Sequence, residues 1–232
     1  MPEELPKTIA LIPDGNRRWA KMHRFSVFNA YKWGVSKFID FSEWCVDYGI
    51  NSITVWAFST ENASRDNKEI GALFRIYKST ADDGKLLARL KATETSIRIV
   101  GNTSLLPKDL LASLKNLERH TRKHSKRVIN ILIGYGGKDD ILHAAKELVK
   151  EIRDKPMRVT EQLFKTYLVS NAIPDIDLII RTSGEHRLSG FIPWQSNYSE
   201  LYFSKKLWPD FNKRDLKKAL VDYSRRQRRF GR

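Results

Sequence analysis

TIALIPDGNRRWA, Thr8 to Ala20, is the stretch whose reading decides the fold. Thr8 to Ile12 is a short apolar run without polar alternation, which suits a strand buried on both faces of a parallel sheet. An acid, a glycine, an asparagine and two arginines follow at once. In an open parallel sheet, ligands bind just beyond the carboxyl ends of the strands. The same stretch therefore points to the fold and to the place to look for chemistry.

Working outward, runs rich in Ile and Val recur as SITVWAF, SIRIV, RVINILIG and DLIIRT, each bounded by Gly, Asn, Pro or Asp. Between them lie helical spacings: Val35, Phe38, Ile39, Ser42 and Val46; Ile70, Leu73, Phe74 and Tyr77; Ile141, Ala145, Leu148 and Ile152. A last helix is expected from Lys213 to about Arg229, with Asn212 as its cap. Strand alternating with helix predicts an α/β fold, with a central, mostly parallel sheet flanked by helices. At 232 residues, with no repeat and no Pro/Gly-rich boundary, residues 1–232 are expected to form a single domain.

Forty-two Lys and Arg against 27 Asp and Glu leave a formal charge of +15, which calls for anionic partners. A lone cysteine, Cys45, permits no internal disulfide and no cysteine-built zinc site. No run approaches the roughly 20 apolar residues of a spanning helix, and the first eight residues lack the order of a secretory signal. A cytoplasmic protein that meets membranes only peripherally is the expectation.

Three polar clusters follow apolar runs. The first is Asp14, Gly15, Asn16, Arg17 and Arg18; the second is Ser59, Thr60, Glu61, Asn62 and Arg65; the third spans Arg181 to Ser189 and includes Arg187. Gly15 lets backbone approach a ligand, and the helix after it offers free N–H groups to an anion. Arg18 supplies a fork matched to phosphate oxygens. Asp14, ionised among cations, is a usual means of holding Mg²⁺ beside phosphates. Each cluster also has a plain reading: Asp-Gly-Asn makes an ordinary turn, Ser59 or Thr60 caps a helix, and Arg181 and Arg187 are surface charges. Together, at three strand ends, they favour a diphosphate–magnesium site.

IALIPDGNRRWA, WAFSTEN, DLIIRTSGEHRLSGFIPWQSNYSELYF, LWPDF and the closing RRFG resemble the cis-prenyltransferases, the undecaprenyl diphosphate synthase family, over nearly the whole chain. The resemblance implies condensation of an allylic diphosphate with isopentenyl diphosphate, forming cis-polyprenyl diphosphate and releasing diphosphate. It makes Asp14 the essential Mg²⁺-binding carboxylate and puts Gly15, Asn16, Arg17, Arg18 and Trp19 around the allylic diphosphate. It places isopentenyl diphosphate on Arg181, Arg187 and Ser189, and makes Glu200 a second metal-associated carboxylate. Arg229 and Gly231 would arrive from a partner subunit, which implies a homodimer. Asn62 would act at the reacting centre, and a neutral amide is suited to positioning by hydrogen bonds rather than to proton abstraction. Ser59, Thr60, Glu61 and Arg65 would position substrate beside it. The resemblance also places a product tunnel between the sheet and the helix carrying Ile70 to Tyr77.

The chain departs from the family pattern at Val27, where an arginine is common, and at Tyr31, where a histidine is common, both being positions that touch the allylic diphosphate. Ala63, Asp66 and Lys138 also replace an aromatic residue, a proline and an arginine. Arg17 or Arg24 could supply the missing charge. One further reading follows from these departures, an irregular, non-head-to-tail condensation; a non-catalytic subunit is a separate alternative, against which stand Asp14, Asn62, Arg181, Arg187, Glu200 and the C-terminal Arg-Phe-Gly, all present. The basic tail admits a nucleic-acid-binding protein, but no nucleic-acid motif accompanies it, and no nucleic-acid partner is expected. The all-helical trans-prenyltransferases are excluded by the strands and by the absence of a third aspartate after Asp82-Asp83 or Asp139-Asp140.

Overall fold

A computed structural model describes residues 5–154 and 156–226. Six strands form one all-parallel sheet in the order β3-β4-β2-β1-β5-β6. They are β1 (Thr8–Ile12), β2 (Ser52–Ser59), β3 (Thr95–Val100), β4 (Arg127–Tyr135), β5 (Leu178–Arg181) and β6 (Glu200–Phe203). The five apolar runs of the sequence are β1 to β5. β6 has only four residues, all half-buried, and Glu200 leaves it an apolar run of just three, so only its pairing with β5 reveals it.

Side chains alternate across the sheet, so Ile9, Leu11, Ile53, Val55, Ile129, Leu178 and Ile180 share one core. Ala10, Ile12, Leu132 and Ile179 belong to a core on the other face. Helices cover both, as a parallel sheet demands. They are α1 (Asn16–His23), α2 (Val27–Asp47), α3 (Asn67–Ala81), α4 (Gly84–Ala92), α5 (Lys108–Thr121), α6 (Gly137–Asp154), α7 (Glu161–Tyr167) and α8 (Lys213–Ser224). The spacings read above are α2, α3, α6 and α8. Asn212 caps α8 through a reciprocal box with Asp215. That helix ends at Ser224 rather than about Arg229, because the chain turns at Arg225 and Arg226, and Arg226 folds back onto Glu200, the Leu201 carbonyl and Asp222.

β1 lies between β2 and β5, and the chain leaves it in one direction to β2 and later returns on the other side as β5. This is the switch point at which α/β sheets open a crevice. Asp14 follows β1, and Arg181 ends β5 in register with Ile12. No helix among the described residues is long and apolar enough to cross a membrane.

Candidate active site

The turn after β1 is built around Gly15, whose φ of 108° is open to glycine and strained for other residues. A Cβ there would lie 2.8 Å from Leu207 Cδ2 and 3.1 Å from the Leu207 Cα. Gly15 is the N-cap of α1 and no side chain caps the helix, so its first-turn N–H groups are left for a ligand. Asn16 ties the turn to β1 by donating from Nδ2 to the Pro13 carbonyl at 3.1 Å.

Arg181 reaches Asp14 from the neighbouring strand. Its guanidinium is buried and donates from Nη2 to Asp14 Oδ2 at 2.9 Å, and from Nη1 to Ser189 Oγ at 3.0 Å and to the Arg187 carbonyl. Arg18, one helical turn beyond Asp14, donates to Ser183 Oγ at 2.6 Å and lies 3.5 Å from Asp14 Oδ1. Glu185 accepts from Arg18 at 3.1 Å and from Arg187 at 2.6 Å, bridging the two arginines. The loop holds Ser183 and Ser189 at φ of 80° and 55°, a left-handed strain that contacts to Arg18 and Arg181 help hold. Burial would raise the Asp14 pKa, but hydrogen bonds from Arg181 and Ser183 and the charges of Arg181 and Arg18 outweigh it. The carboxyl is held below its ordinary range and is ionised at neutral pH.

The second cluster lies beyond β2. A short 3-10 turn, Thr60–Ser64, is capped by Ser59, whose Oγ accepts from the Asn62 N–H at 3.2 Å. The cap reading and the site reading therefore both hold, since Ser59, Glu61, Asn62 and Arg65 line the same cleft as Asp14. Tyr31, from α2, donates to Glu69 Oε1 at 2.6 Å and accepts from Arg65 Nη1 at 3.1 Å. Glu69 also lies 3.6 Å from Arg65 and 3.9 Å from Arg17. Burial first, then the bond to Glu69, pushes the Tyr31 phenol far above its ordinary pKa and keeps it a donor. Where the family pattern has a histidine, this chain thus presents a neutral hydroxyl that aligns Arg65. Arg17 lines the cleft and Arg24 does not, so Arg17 is the better placed to replace the charge missing at Val27.

Several expected residues stand elsewhere. Trp19 is buried behind the site and donates to Asp210 at 2.8 Å, because α1 packs against the turn at Trp208. The Thr60 hydroxyl turns to Asp139 at 2.7 Å. Glu200 begins β6 level with Leu178, which is itself level with Ile9, so parallel pairing puts it about 15 Å along the strands from Asp14. It binds Arg226 at 2.7 Å, and one chain does not bring it to a metal at Asp14. Arg229 and Gly231 lie outside the described residues. Conversely, Ser183 and Glu185 sit within the third cluster without an assigned role in the sequence, and Glu69 was hidden on the charged side of α3. Asp140, one of the paired acids, serves the core. It is buried and accepts from Tyr135, Ser170 and the Val169 N–H.

The cleft has a volume of about 950 Å³. Its mouth is Asp14, Arg17, Arg18, Asn62, Arg65 and Arg181, and its depth is apolar: Phe38, Ile39, Leu90, Ile97, Leu117 and Ile129. Ile129 is level with Ile53 and hence with Ile9, so the cleft runs about 15 Å back along the sheet from Asp14. Mg²⁺ is commonly held by one or two carboxylates together with substrate phosphates. Asp14 suits that arrangement: it is ionised, and the contact that Arg18 makes with its Oδ1 is a loose 3.5 Å. Among the described residues no group of three acidic, His or Cys side chains forms a cage of its own.

A cationic mouth over a long apolar cleft suits an amphiphile with an anionic head and a hydrocarbon tail. The family model described as putative undecaprenyl diphosphate synthase matches residues 12–231. Among curated relatives, the tritrans,polycis-undecaprenyl-diphosphate synthase (geranylgeranyl-diphosphate specific) of Methanopyrus kandleri is 37% identical over 98% of this chain and 85% of that protein. An isoprenyl transferase of Thermotoga maritima is 39% identical over 98% of this chain and 97% of its own. Among solved structures, lavandulyl diphosphate synthase from Lavandula x intermedia, in complex with dimethylallyl diphosphate, superposes with a TM-score of 0.93 at 31% identity. The match covers 98% of this chain and 99% of that one. This chain belongs to the undecaprenyl diphosphate synthase family, and it is a cis-prenyltransferase.

Proposed function

We propose that the chain is a Mg²⁺-dependent cis-polyprenyl diphosphate synthase that extends an allylic diphosphate with isopentenyl diphosphate and releases diphosphate. The observation that carries this reading is the apolar cleft, at the upper end of ordinary ligand-pocket volumes, running back from the Asp14–Arg181 pair. A single five-carbon transfer needs no such depth; a lengthening chain does.

In each cycle the allylic C–O bond breaks with its electron pair leaving on the diphosphate. The freed carbon bonds to the terminal alkene carbon of isopentenyl diphosphate, and a proton leaves that substrate for a diphosphate oxygen. Arg18, Arg17 and the N–H groups of α1 hold the allylic diphosphate and stabilise the charge that grows on it, which favours the transition state over the ground state. Arg181, Arg187 and Ser189 clamp the isopentenyl diphosphate, displacing Glu185 from Arg187. Asn62 orients the substrates by hydrogen bonds. Mg²⁺, held by Asp14, would neutralise diphosphate charge. Several curated relatives, the Methanopyrus kandleri protein among them, bear names specifying geranylgeranyl diphosphate, which supports a twenty-carbon allylic donor. The resemblance at the C-terminal Arg229 and Gly231 supports a homodimer, and a lone cysteine that allows no internal disulfide supports a reducing, cytoplasmic setting.

The test supplies purified chain with Mg²⁺, labelled isopentenyl diphosphate and allylic diphosphates of five to twenty carbons, with products sized by chromatography and mass. Five-carbon ladders from a preferred primer are expected. A single irregular product from allylic donor alone would favour a second reading, which the Tyr31 site and the likeness to lavandulyl diphosphate synthase support. Incorporation only after a second chain is added would indicate a non-catalytic subunit.

A further inference from the structure

We propose that the corner between α1 and α2 is a docking surface for an anionic lipid bilayer, seated at the mouth of the cleft. From Gly15 to Ile39 the chain carries Arg17, Arg18, Lys21, Arg24, Lys32 and Lys37 and not one Asp or Glu. Within twelve residues of the same stretch stand four large exposed apolar side chains: Met22 at 70% exposure, Phe25 at 52%, Phe28 at 41% and Trp33 at 55%. Single exposed apolar residues are normal on a surface, whereas a local group of them marks a contact site.

The group is held in place. Trp19, fixed by Asp210, stacks on Phe25 with ring centroids 5.4 Å apart and lies 5.8 Å from Trp33. Arg24, in the left-handed region, ends α1, and the Ser26 cap starts α2 two residues later, so the two helices present this edge as a fixed corner. Lys21, Val27 and Tyr31, interleaved with the exposed residues, line the cleft.

Aromatic and apolar side chains ringed by Lys and Arg suit the headgroup region of a bilayer with negative surface charge. A second copy is the poorer occupant, since a two-fold contact would set this cationic stretch against itself. The bilayer identity also rests on the proposed reaction in one respect: a polyprenyl product leaving this mouth would find lipid beside it.

The test is sedimentation of the full chain with vesicles of phosphatidylcholine alone and of phosphatidylcholine mixed with phosphatidylglycerol. Binding to the mixed vesicles is expected, weakening as salt rises, and Met22→Glu with Phe28→Glu should lower partition at least about tenfold. Brominated lipid should quench the tryptophan emission, and Trp33→Phe should bind yet lose much of that quenching. Isopentenyl incorporation from a short, water-soluble allylic donor should be the same in the double variant as in the wild type. A folded double variant that sediments like wild type overturns the proposal. So does a wild type that ignores anionic vesicles but forms a larger oligomer, or an RNA complex, that the double variant loses. A chain that binds vesicles through these residues but makes no prenyl product would leave the surface standing and refute the reaction.

Discussion

Replacing Asp14 by alanine removes the one carboxylate that faces both Arg181 and Arg18 at the mouth. Arg181, a residue only 5% exposed, keeps its bonds to Ser189 and the Arg187 carbonyl but loses its counter-charge. Breaking a fully buried ion pair from one side costs about 3–5 kcal/mol, and since the Asp14 side chain is 31% exposed the expected loss is about 2 kcal/mol. Domains hold roughly 5–15 kcal/mol, so the fold survives, with Tm lower by roughly 4–8 °C. Turnover should fall by at least about a thousandfold, because the lost group acts where charge develops in the transition state. Diphosphate affinity, carried by the arginines and the α1 N–H groups, should largely remain. Asp14→Asn separates the two effects, since it keeps an acceptor for Arg181 and loses the charge. Melting, diphosphate binding and isopentenyl incorporation would be measured on all three proteins. Wild-type turnover by Asp14→Asn would refute the assignment and leave Asp14 as a structural partner of Arg181.

Gly15→Ala forces a strained φ and a Cβ against Leu207, and should cost about 2–3 kcal/mol in denaturant unfolding while turnover falls through displacement of α1. Tyr31→Phe removes the hydroxyl between Glu69 and Arg65, and should raise KM for the allylic diphosphate about threefold to tenfold with kcat little changed; an unchanged KM would show that Arg65 needs no such alignment. Asp140→Ala leaves Tyr135, Ser170 and the Val169 N–H without their buried acceptor, so stability should fall by about 3 kcal/mol while turnover per folded molecule persists. The depressed Asp14 pKa means that its ionised form stabilises the fold above the unfolded carboxylate value, and that this contribution disappears only as pH falls through the lower folded value. Turnover should therefore show no Asp14 limb between neutrality and about pH 5; an acid limb near pH 6 that Asp14→Asn abolishes would contradict this.

What the sequence determined by itself is the part governed by local pattern. Uninterrupted Ile and Val runs have no solvent face, so TIALI, SITVWAF and DLII had to be inner parallel strands with helices on both sides. The residues just past them had to gather at one edge of the sheet. Asp14, Gly15, Arg18, Arg181 and Ser189 were legible for that reason. Pairing was not legible. β6, four residues with an apolar run of three, is too short to declare itself, and its register alone puts Glu200 at the far end of the sheet from Asp14. Nor could spacing reveal which side chain an arginine would choose. Glu185 between Arg18 and Arg187, and Glu69 beside Tyr31 and Arg17, are contacts between residues 38 or more apart or across a strained loop, fixed only when the strands and α2 are packed; the Arg65–Glu69 pair, four apart, is the local one. Trp19 and Thr60 stand in motif positions yet turn away, because packing against Asp210 and Asp139 decides where an aromatic edge and a hydroxyl point. Local periodicity dictates which faces are buried; the partners of each polar group depend on long-range geometry that no local window contains.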